Sequence, residues 1–203
     1  MYAGTDGGLI KSLDGGFSWR VVNTVMGSHG RDRAIGQVSS LVVDPLDSQT
    51  VYATARCAGF FRSTDGGRRW RSANAVRVPQ CQDLALALAA YAPRTVYAVY
   101  AWRGVFKSTD GGVHWRPASS GLATDQLEGI TALASDPANA TTLYAATSGS
   151  GIFRSTDAGS SWHPFSPGLA VLDVKSLAID ATGRTLYAGS AGGGVVALRA
   201  STN

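Results

Sequence analysis

The octapeptide STDGGRRW at residues 63–70 recurs as SLDGGFSW at 12–19, STDGGVHW at 108–115 and STDAGSSW at 155–162. The four copies share the pattern S-x-D-x-G-x-x-W. Their tryptophans are spaced 51, 45 and 47 residues apart in a chain of 203 residues. Self-similarity at a period of this length is typical of repeat proteins. The chain is therefore predicted to be an array of similar units.

Each copy predicts a tight hairpin, called here a Ser–Asp hairpin. Serine and aspartate side chains pair with backbone N–H groups that a tight turn would otherwise leave without a partner. We expect a positive φ at the second glycine, and Ala158 in place of the first glycine indicates that the first position is less demanding. The tryptophan packs the hairpin onto its sheet. The predicted structural residues are Ser12, Asp14, Gly16, Trp19, Ser63, Asp65, Gly67, Trp70, Ser108, Asp110, Gly112, Trp115, Ser155, Asp157, Gly159 and Trp162.

Three further strands are expected in each complete unit, before the strand that follows the hairpin. Examples are ITALASD at 130–136, TLYAA at 142–146 and GIFRS at 151–155. Four short antiparallel strands at this period form the blade of a β-propeller. The sequence predicts an all-β propeller of four-stranded antiparallel blades, about five in number, the first and last incomplete. It forms a single domain over 1–203, with units at 1–22, 38–72, 83–117, 129–164 and 175–199.

The hairpin sequences resemble the Asp-box, or BNR repeat. This repeat is found in sialidases, in xyloglucan-degrading glycoside hydrolases, in sortilin-type receptors and in propellers similar to photosystem II assembly factors. The resemblance covers nearly the whole chain, as a repeat and not as the active site of one family. It implies that the hairpins are structural and lie away from the ligand face, so Asp14, Asp65, Asp110 and Asp157 are expected to be scaffold residues.

The chain begins and ends part-way through a unit. With the strands of a blade labelled A to D from the centre outward, the sequence supplies B to D of one blade, three full blades, and A to C of a last one. These are eighteen strands. Our structural expectation is a five-bladed ring that closes on itself. The alternative is an excerpt of a longer propeller, or a partial ring completed by another chain, because unpaired strand edges promote association.

Function is expected on the face opposite the hairpins, where the B–C loops and the loops between blades meet. Arginines and one off-pattern tryptophan gather there. Such a patch binds carboxylates, acidic glycans or the acidic surface of a protein partner. The alternative is a solvated loop face with scattered arginines. The candidate binding residues are Arg31, Arg33, Arg56, Arg77, Trp102 and Arg103.

These features predict a non-catalytic binding or assembly module that contacts a protein partner or a larger assembly through its loops. The alternative is a carbohydrate-active propeller, either glycan-binding or a fragment of a glycoside hydrolase. Glycosidases use two carboxylates roughly 5 to 10 Å apart. Asp83, Glu128 and Asp173 recur near the head of the innermost strand. These acids are the candidates for catalysis, although acids that cap strand starts and bind water would look the same.

The net charge of +4 does not indicate nucleic-acid binding, because many cations recur with the repeat and are spread around it. These are Lys11, Arg20, Arg62, Arg71, Lys107, Arg116 and Arg154. The histidines His29, His114 and His163 occupy unrelated places, and no Cys or His spacing suggests zinc. We therefore predict no metal site and no cofactor.

Cys57 and Cys81 fall in loops on the same predicted face. A disulfide between them would contribute roughly 3 kcal/mol on the chain-entropy model and would imply an oxidising compartment. The alternative is two free thiols in a cytosolic protein. The longest apolar run, LALALAAYA at 84–92, is too short to span a bilayer, and the sequence has no signal peptide. On the disulfide we predict an extracytoplasmic protein.

Overall fold

The computed structural model describes residues 1–22, 24–25, 33–34, 36–56, 58–73, 86–88, 94–100, 103–123 and 129–200. Every regular element in these ranges is a β-strand. No helix among them is long and apolar enough to span a membrane. All strand pairs are antiparallel, and within each sheet the strands follow chain order.

The described strands form five sheets of the repeat, called blades 1 to 5, and one small additional sheet. Blade 1 has three strands: β1 (Tyr2–Thr5), β2 (Gly8–Lys11) and β3 (Arg20–Val21). The additional sheet is a hairpin of β4 (Thr24–Val25) and β5 (Arg33–Ala34). Blade 2 has four strands: β6 (Val38–Val43), β7 (Val51–Ala55), β8 (Gly59–Ser63) and β9 (Arg71–Ser72).

Blades 3 and 4 also have four strands, and blade 5 has three. Blade 3 comprises β10 (Leu86–Leu88), β11 (Val96–Tyr100), β12 (Gly104–Ser108) and β13 (Arg116–Pro117). Blade 4 comprises β14 (Ile130–Ser135), β15 (Leu143–Thr147), β16 (Ile152–Ser155) and β17 (His163–Pro164). Blade 5 comprises β18 (Val174–Ile179), β19 (Thr185–Ser190) and β20 (Gly194–Arg199).

All eighteen predicted strands are present among the described residues, and the predicted all-β class with incomplete first and last blades is confirmed. The strands β4 and β5, between blades 1 and 2, were not predicted. Two residues per strand are too few to produce a readable alternation of polar and apolar side chains, so the sequence pattern did not indicate them.

The first strands of successive blades, β6, β10, β14 and β18, lie side by side. The hydrophobic core is therefore divided into layers between consecutive blades. In one layer, Tyr52 and Phe60 of blade 2 pack against Val96 and Ala98 of blade 3. We call the face that carries Tyr52 and Phe60, and its equivalent in each blade, the leading face. The face that it covers on the next blade is the trailing face.

The array exposes one blade face at each end. Val105 on the leading face of blade 3 is fully buried, whereas its equivalent in blade 5, Val195, is 74% exposed. Tyr187 on the same face is 43% exposed. At the other end Trp19, on the trailing face of blade 1, is 41% exposed while Trp70 is buried. Blades 1 and 5 do not cover each other, so the expected closed five-bladed ring is not what the described residues form.

The exposed face of blade 5 gives a matched test of this layered core. Val105→Ala is expected to lower the free energy of unfolding by about 2 kcal/mol, because two methyl groups leave a packed layer. Val195→Ala removes the same atoms from an exposed position and is expected to change it by less than about 0.5 kcal/mol. Urea unfolding measures both values. Equal losses would contradict an uncovered leading face on blade 5.

Candidate functional site

The Ser–Asp hairpins are held by the same three hydrogen bonds. In the second copy, the Ser63 hydroxyl donates to Asp65 Oδ1 and accepts from the Gly67 N–H, both at 2.9 Å. The Arg69 N–H donates to Asp65 Oδ1, also at 2.9 Å. Equivalent bonds of 2.7–2.9 Å occur in the other three hairpins. The serine and the aspartate therefore close the turn on themselves, with the carboxylate as acceptor.

Hydrogen bonding keeps the hairpin carboxylates ionised. The hydroxyl and then the N–H of Ser161 donate to Asp157 and lower its pKa to about 2. The Ser18 side chain and N–H likewise lower the pKa of Asp14, and the His114 N–H lowers that of Asp110. A general acid must carry a proton near the working pH. These carboxylates therefore serve as turn acceptors at neutral pH and not as proton donors.

The hairpin backbone is left-handed at two positions. The second glycines, such as Gly67, have φ between +85° and +104°. The first position is also left-handed, with φ of +69° at Gly66 and +59° at Ala158. The first position therefore also favours glycine, although its φ lies nearer the left-handed region that other residues can adopt than the φ of the second glycines. Ala158 adopts a conformation that its Cβ disfavours, and the surrounding hairpin contacts hold it there.

Ala158→Gly is expected to raise the free energy of unfolding by about 1 kcal/mol, because glycine takes this φ without the steric penalty of a Cβ. Ala181→Gly is the control, since Ala181 is exposed and has no positive φ. It should lower stability by a few tenths of a kcal/mol. Thermal and urea unfolding measure both variants. A loss of stability in Ala158→Gly would show that the Cβ is not strained.

The lowered pKa of Asp157 also predicts a pH dependence. Its folded pKa, about 2, lies below the unfolded value near 3.8. The stabilisation is therefore complete above about pH 4 and is lost as the pH falls through 2. Asp157→Asn should flatten the decline of unfolding free energy between pH 4 and 2, and Ser161→Ala should flatten it partly. Urea titrations across that window test this, and an unchanged slope in Asp157→Asn would contradict it.

The Ser–Asp hairpins of blades 2, 3 and 4 are also fastened to the preceding blade. Tyr97 Oη and Lys107 Nζ of blade 3 donate to the carbonyl of Ala158 in the hairpin of blade 4, at 3.0 and 3.1 Å. In return, Trp162 Nε1 donates to the carbonyl of Ala118 at 2.7 Å. We call this set of bonds the inter-blade latch. The latch explains why a tyrosine and a cation recur with the hairpin.

The latch repeats along the array with small changes. Between blades 1 and 2, Lys11 Nζ donates to the Gly66 carbonyl at 2.8 Å, and Trp70 Nε1 to that of Val22 at 2.6 Å. Between blades 4 and 5, Tyr144 Oη donates to the Ala200 carbonyl at 2.8 Å. Blade 5 has no Ser–Asp hairpin, so Ala200 takes the acceptor position. The sequence showed the period of these residues, but not their partners.

The face opposite the hairpins, called here the loop face, carries two of the predicted binding residues in the described part of the chain. Arg56 and Arg103 lie there at neighbouring B–C turns, and both side chains are exposed. Arg33 lies in β5. The other predicted binding residues, Arg31, Arg77 and Trp102, lie outside the described residues, as do Cys57 and Cys81. The structure thus places two of the predicted arginines on one exposed surface.

Of the three candidate catalytic acids, Asp173 is described, and Asp83 and Glu128 lie outside the described residues. Asp173 precedes β18 and forms a β-bridge with Ser148 of the blade 4 loop. Its Oδ1 lies 2.7 Å from Lys175 Nζ, in a partly exposed ion pair.

The inner strands bulge where they enter the loop face, a feature that the sequence did not indicate. The register shifts between Val38 and Ser40, between Ile130 and Ala132, and between Val174 and Ser176. The three bulged residues are Ser39, Thr131 and Lys175. Such bulges re-aim side chains and are frequent beside binding sites. The described part of the chain holds no group of three or more His, Cys, Asp or Glu residues that could bind a metal ion.

No family model matches the chain, and no curated protein is significantly similar to it. Solved structures share its fold. The GH74 enzyme of Niastella koreensis matches with a TM-score of 0.76 and 22% identity, over 98% of this chain and 33% of that one. The GH74 xyloglucanase of Xanthomonas campestris matches with a TM-score of 0.69 and 21% identity, over 92% of this chain and 31% of that one. YCF48 bound to a D1 peptide matches with a TM-score of 0.60 and 16% identity, over 82% of this chain and 52% of that one.

At these identities the similarity shows the fold alone. The predicted β-propeller architecture is confirmed by these structures together with the four-stranded antiparallel blades. The chain spans about a third of the length of the two GH74 enzymes and about half that of YCF48.

Proposed function

We propose that the chain is a non-catalytic binding or assembly module, whose rigid propeller scaffold contacts a protein partner through the loop face. The observation that carries this proposal is the position of the acidic side chains and the hydrogen bonds that they accept. Eight aspartates accept hydrogen bonds within turns at the hairpin end of the blades. They are Asp14, Asp44, Asp47, Asp65, Asp110, Asp136, Asp157 and Asp180.

Among the described residues this leaves Asp6 and Asp173 on the loop face. Asp6 accepts a hydrogen bond from Gln37 at 2.9 Å, and Asp173 is paired with Lys175. Glycoside hydrolysis requires two carboxylates in defined roles. The described part of the loop face offers no unengaged pair of this kind, which supports binding over catalysis.

The exposed guanidinium groups of Arg56 and Arg103 support an acidic partner. Guanidinium groups form paired, charge-assisted hydrogen bonds with carboxylates, and they keep their charge at all physiological pH values. The inter-blade latches support a scaffold that holds its loops in place, which lowers the entropic cost of binding. That YCF48, a similar fold, was solved with a bound peptide also supports a protein partner. With the predicted disulfide we propose that this module acts outside the cytoplasm.

Binding of a labelled acidic peptide, oligoglutamate, tests the proposal by fluorescence anisotropy at low and high salt. The double variant Arg56→Ala/Arg103→Ala should weaken binding at least tenfold, because it removes the two exposed arginines of the neighbouring B–C turns. Arg184→Ala is the matched control. Arg184 is also exposed, but it lies in a turn at the hairpin end, so its loss should change affinity less than twofold.

The same preparation is offered xyloglucan oligosaccharides to test the carbohydrate-active alternative. We expect no hydrolysis. Hydrolysis that is lost in Asp173→Asn would replace the proposed function with a glycosidase. Equal weakening of peptide binding by the double variant and by Arg184→Ala would overturn the assignment of the loop face, because it would show a non-specific effect of charge.

A further inference from the structure

A groove of about 740 Å³ lies between the Ser–Asp hairpins of blades 2 and 3, at the opposite end of the blades from the loop face. Its walls include Arg62, Arg69 and Arg71 from blade 2, and Gly111 and Gly112 from the hairpin of blade 3. This size is in the range of small-molecule sites. The groove belongs neither to the loop face nor to the candidate acids.

The groove carries an excess of positive charge. Three arginines and one carboxylate, that of Asp65, contribute to its lining. Arg62 and Arg71 are direct cross-strand partners on β8 and β9, and like charges opposite each other are destabilising. Asp65 does not relieve this repulsion fully, because one of its oxygens already accepts from Ser63 and from the Arg69 N–H.

The contacts between blades 2 and 3 differ from those between the neighbouring pairs of blades. Each contact region between two consecutive blades is called a joint. In the joints before and after the one between blades 2 and 3, the cations Lys11 and Lys107 donate to a hairpin carbonyl, and Tyr97 does so as well. Here the cation is Arg62, and its buried Nε has no hydrogen-bond partner among the described residues. The hydroxyl of the fully buried Tyr52 is also unpartnered.

Arg62 lines the groove, and the Tyr52 hydroxyl lies behind its wall, next to Gly111. A Cβ built on Gly111 would lie 2.8 Å from Arg62 Nη1 and 3.2 Å from the Tyr52 hydroxyl. Buried donors without an acceptor are rare in native proteins and often mark a site for water or a ligand. The guanidinium groups that line the groove pair best with negatively charged oxygen, so the ligand class that the groove favours is an anion.

We propose that this groove binds the phosphate or sulfate ester group of a sugar-sized molecule. The planar guanidinium groups of Arg62 and Arg71 would bind its oxygens in pairs. Arg69 adds charge at the rim. The volume beyond the arginines accommodates the body of the molecule.

Amide NMR shifts of Gly111 and Gly112 test the proposal directly, since both residues line the groove. The probes are glucose 6-phosphate, glucose 6-sulfate, inorganic phosphate and glucose, titrated into the full chain. We expect both esters to shift the two amides and glucose to leave them unchanged. Arg71→Ala should weaken ester binding at least tenfold. It should also keep the fold, because Arg71 is exposed.

Two further variants complete the test. Arg62→Lys restores the cation of the neighbouring joints and should weaken ester binding at least fivefold. Arg116→Ala removes an equivalent exposed arginine from the joint between blades 3 and 4, and it should change the affinity for the esters less than twofold. No shift with any anion, or equal losses in Arg71→Ala and Arg116→Ala, would overturn the proposal. Inorganic phosphate binding as tightly as the esters would support the oxyanion site and overturn the sugar-sized ligand.

Peptide binding by the loop face keeps this test separate from that of the proposed function. Arg71→Ala should leave the affinity for oligoglutamate unchanged, because the groove and the loop face lie at opposite ends of the blades. A loss of both activities in Arg71→Ala would overturn the assignment of the ester to a separate site.

Discussion

A single residue in the Ser–Asp hairpins of blades 2 and 4 connects three parts of the array. In blade 4 this residue is Ala158: its N–H donates to the carbonyl of Thr141 in the turn of its own blade, at 2.8 Å. Its carbonyl accepts from Tyr97 and Lys107 of the preceding blade. The left-handed backbone turns these two groups toward different partners, and the serine and aspartate hold that backbone in place. The regular stacking of the blades depends on this geometry.

Local and long-range features differ in how well the sequence predicted them. The hairpins and strands were predictable because their determinants lie within a few residues. An example is the bond from Ser63 to Asp65, two positions away. The latches join residues such as Tyr97 and Ala158, which are 61 positions apart. Their pairing depends on how one blade lies on the next, and periodicity alone does not give that relation.

Backbone conformation and loop positions were the least accessible to sequence reasoning. The positive φ of Ala158 was not predicted, because an alanine in a glycine position does not reveal the backbone conformation that it adopts. The bulges at the heads of the inner strands have no signature, since Ser39, Thr131 and Lys175 share no side-chain chemistry. For the candidate site, the sequence identified Arg56 and Arg103 as loop arginines. It also treated Arg62 and Arg71 as scaffold, because each recurs with the repeat.

Blade 5 shows what the repeat can lose. The carbonyl of Ala200 accepts hydrogen bonds from the Tyr144 hydroxyl and the Arg154 guanidinium, and the Ala200 N–H donates to the carbonyl of Arg184. These bonds form although blade 5 lacks the residues of the Ser–Asp hairpin. Because both the N–H and the carbonyl belong to the main chain, any amino acid except proline can form these bonds. A repeat of this type can therefore lose its signature sequence and still dock on the preceding blade. Counting signature motifs will undercount such units, whereas the second-strand tyrosine is a more durable marker for finding them.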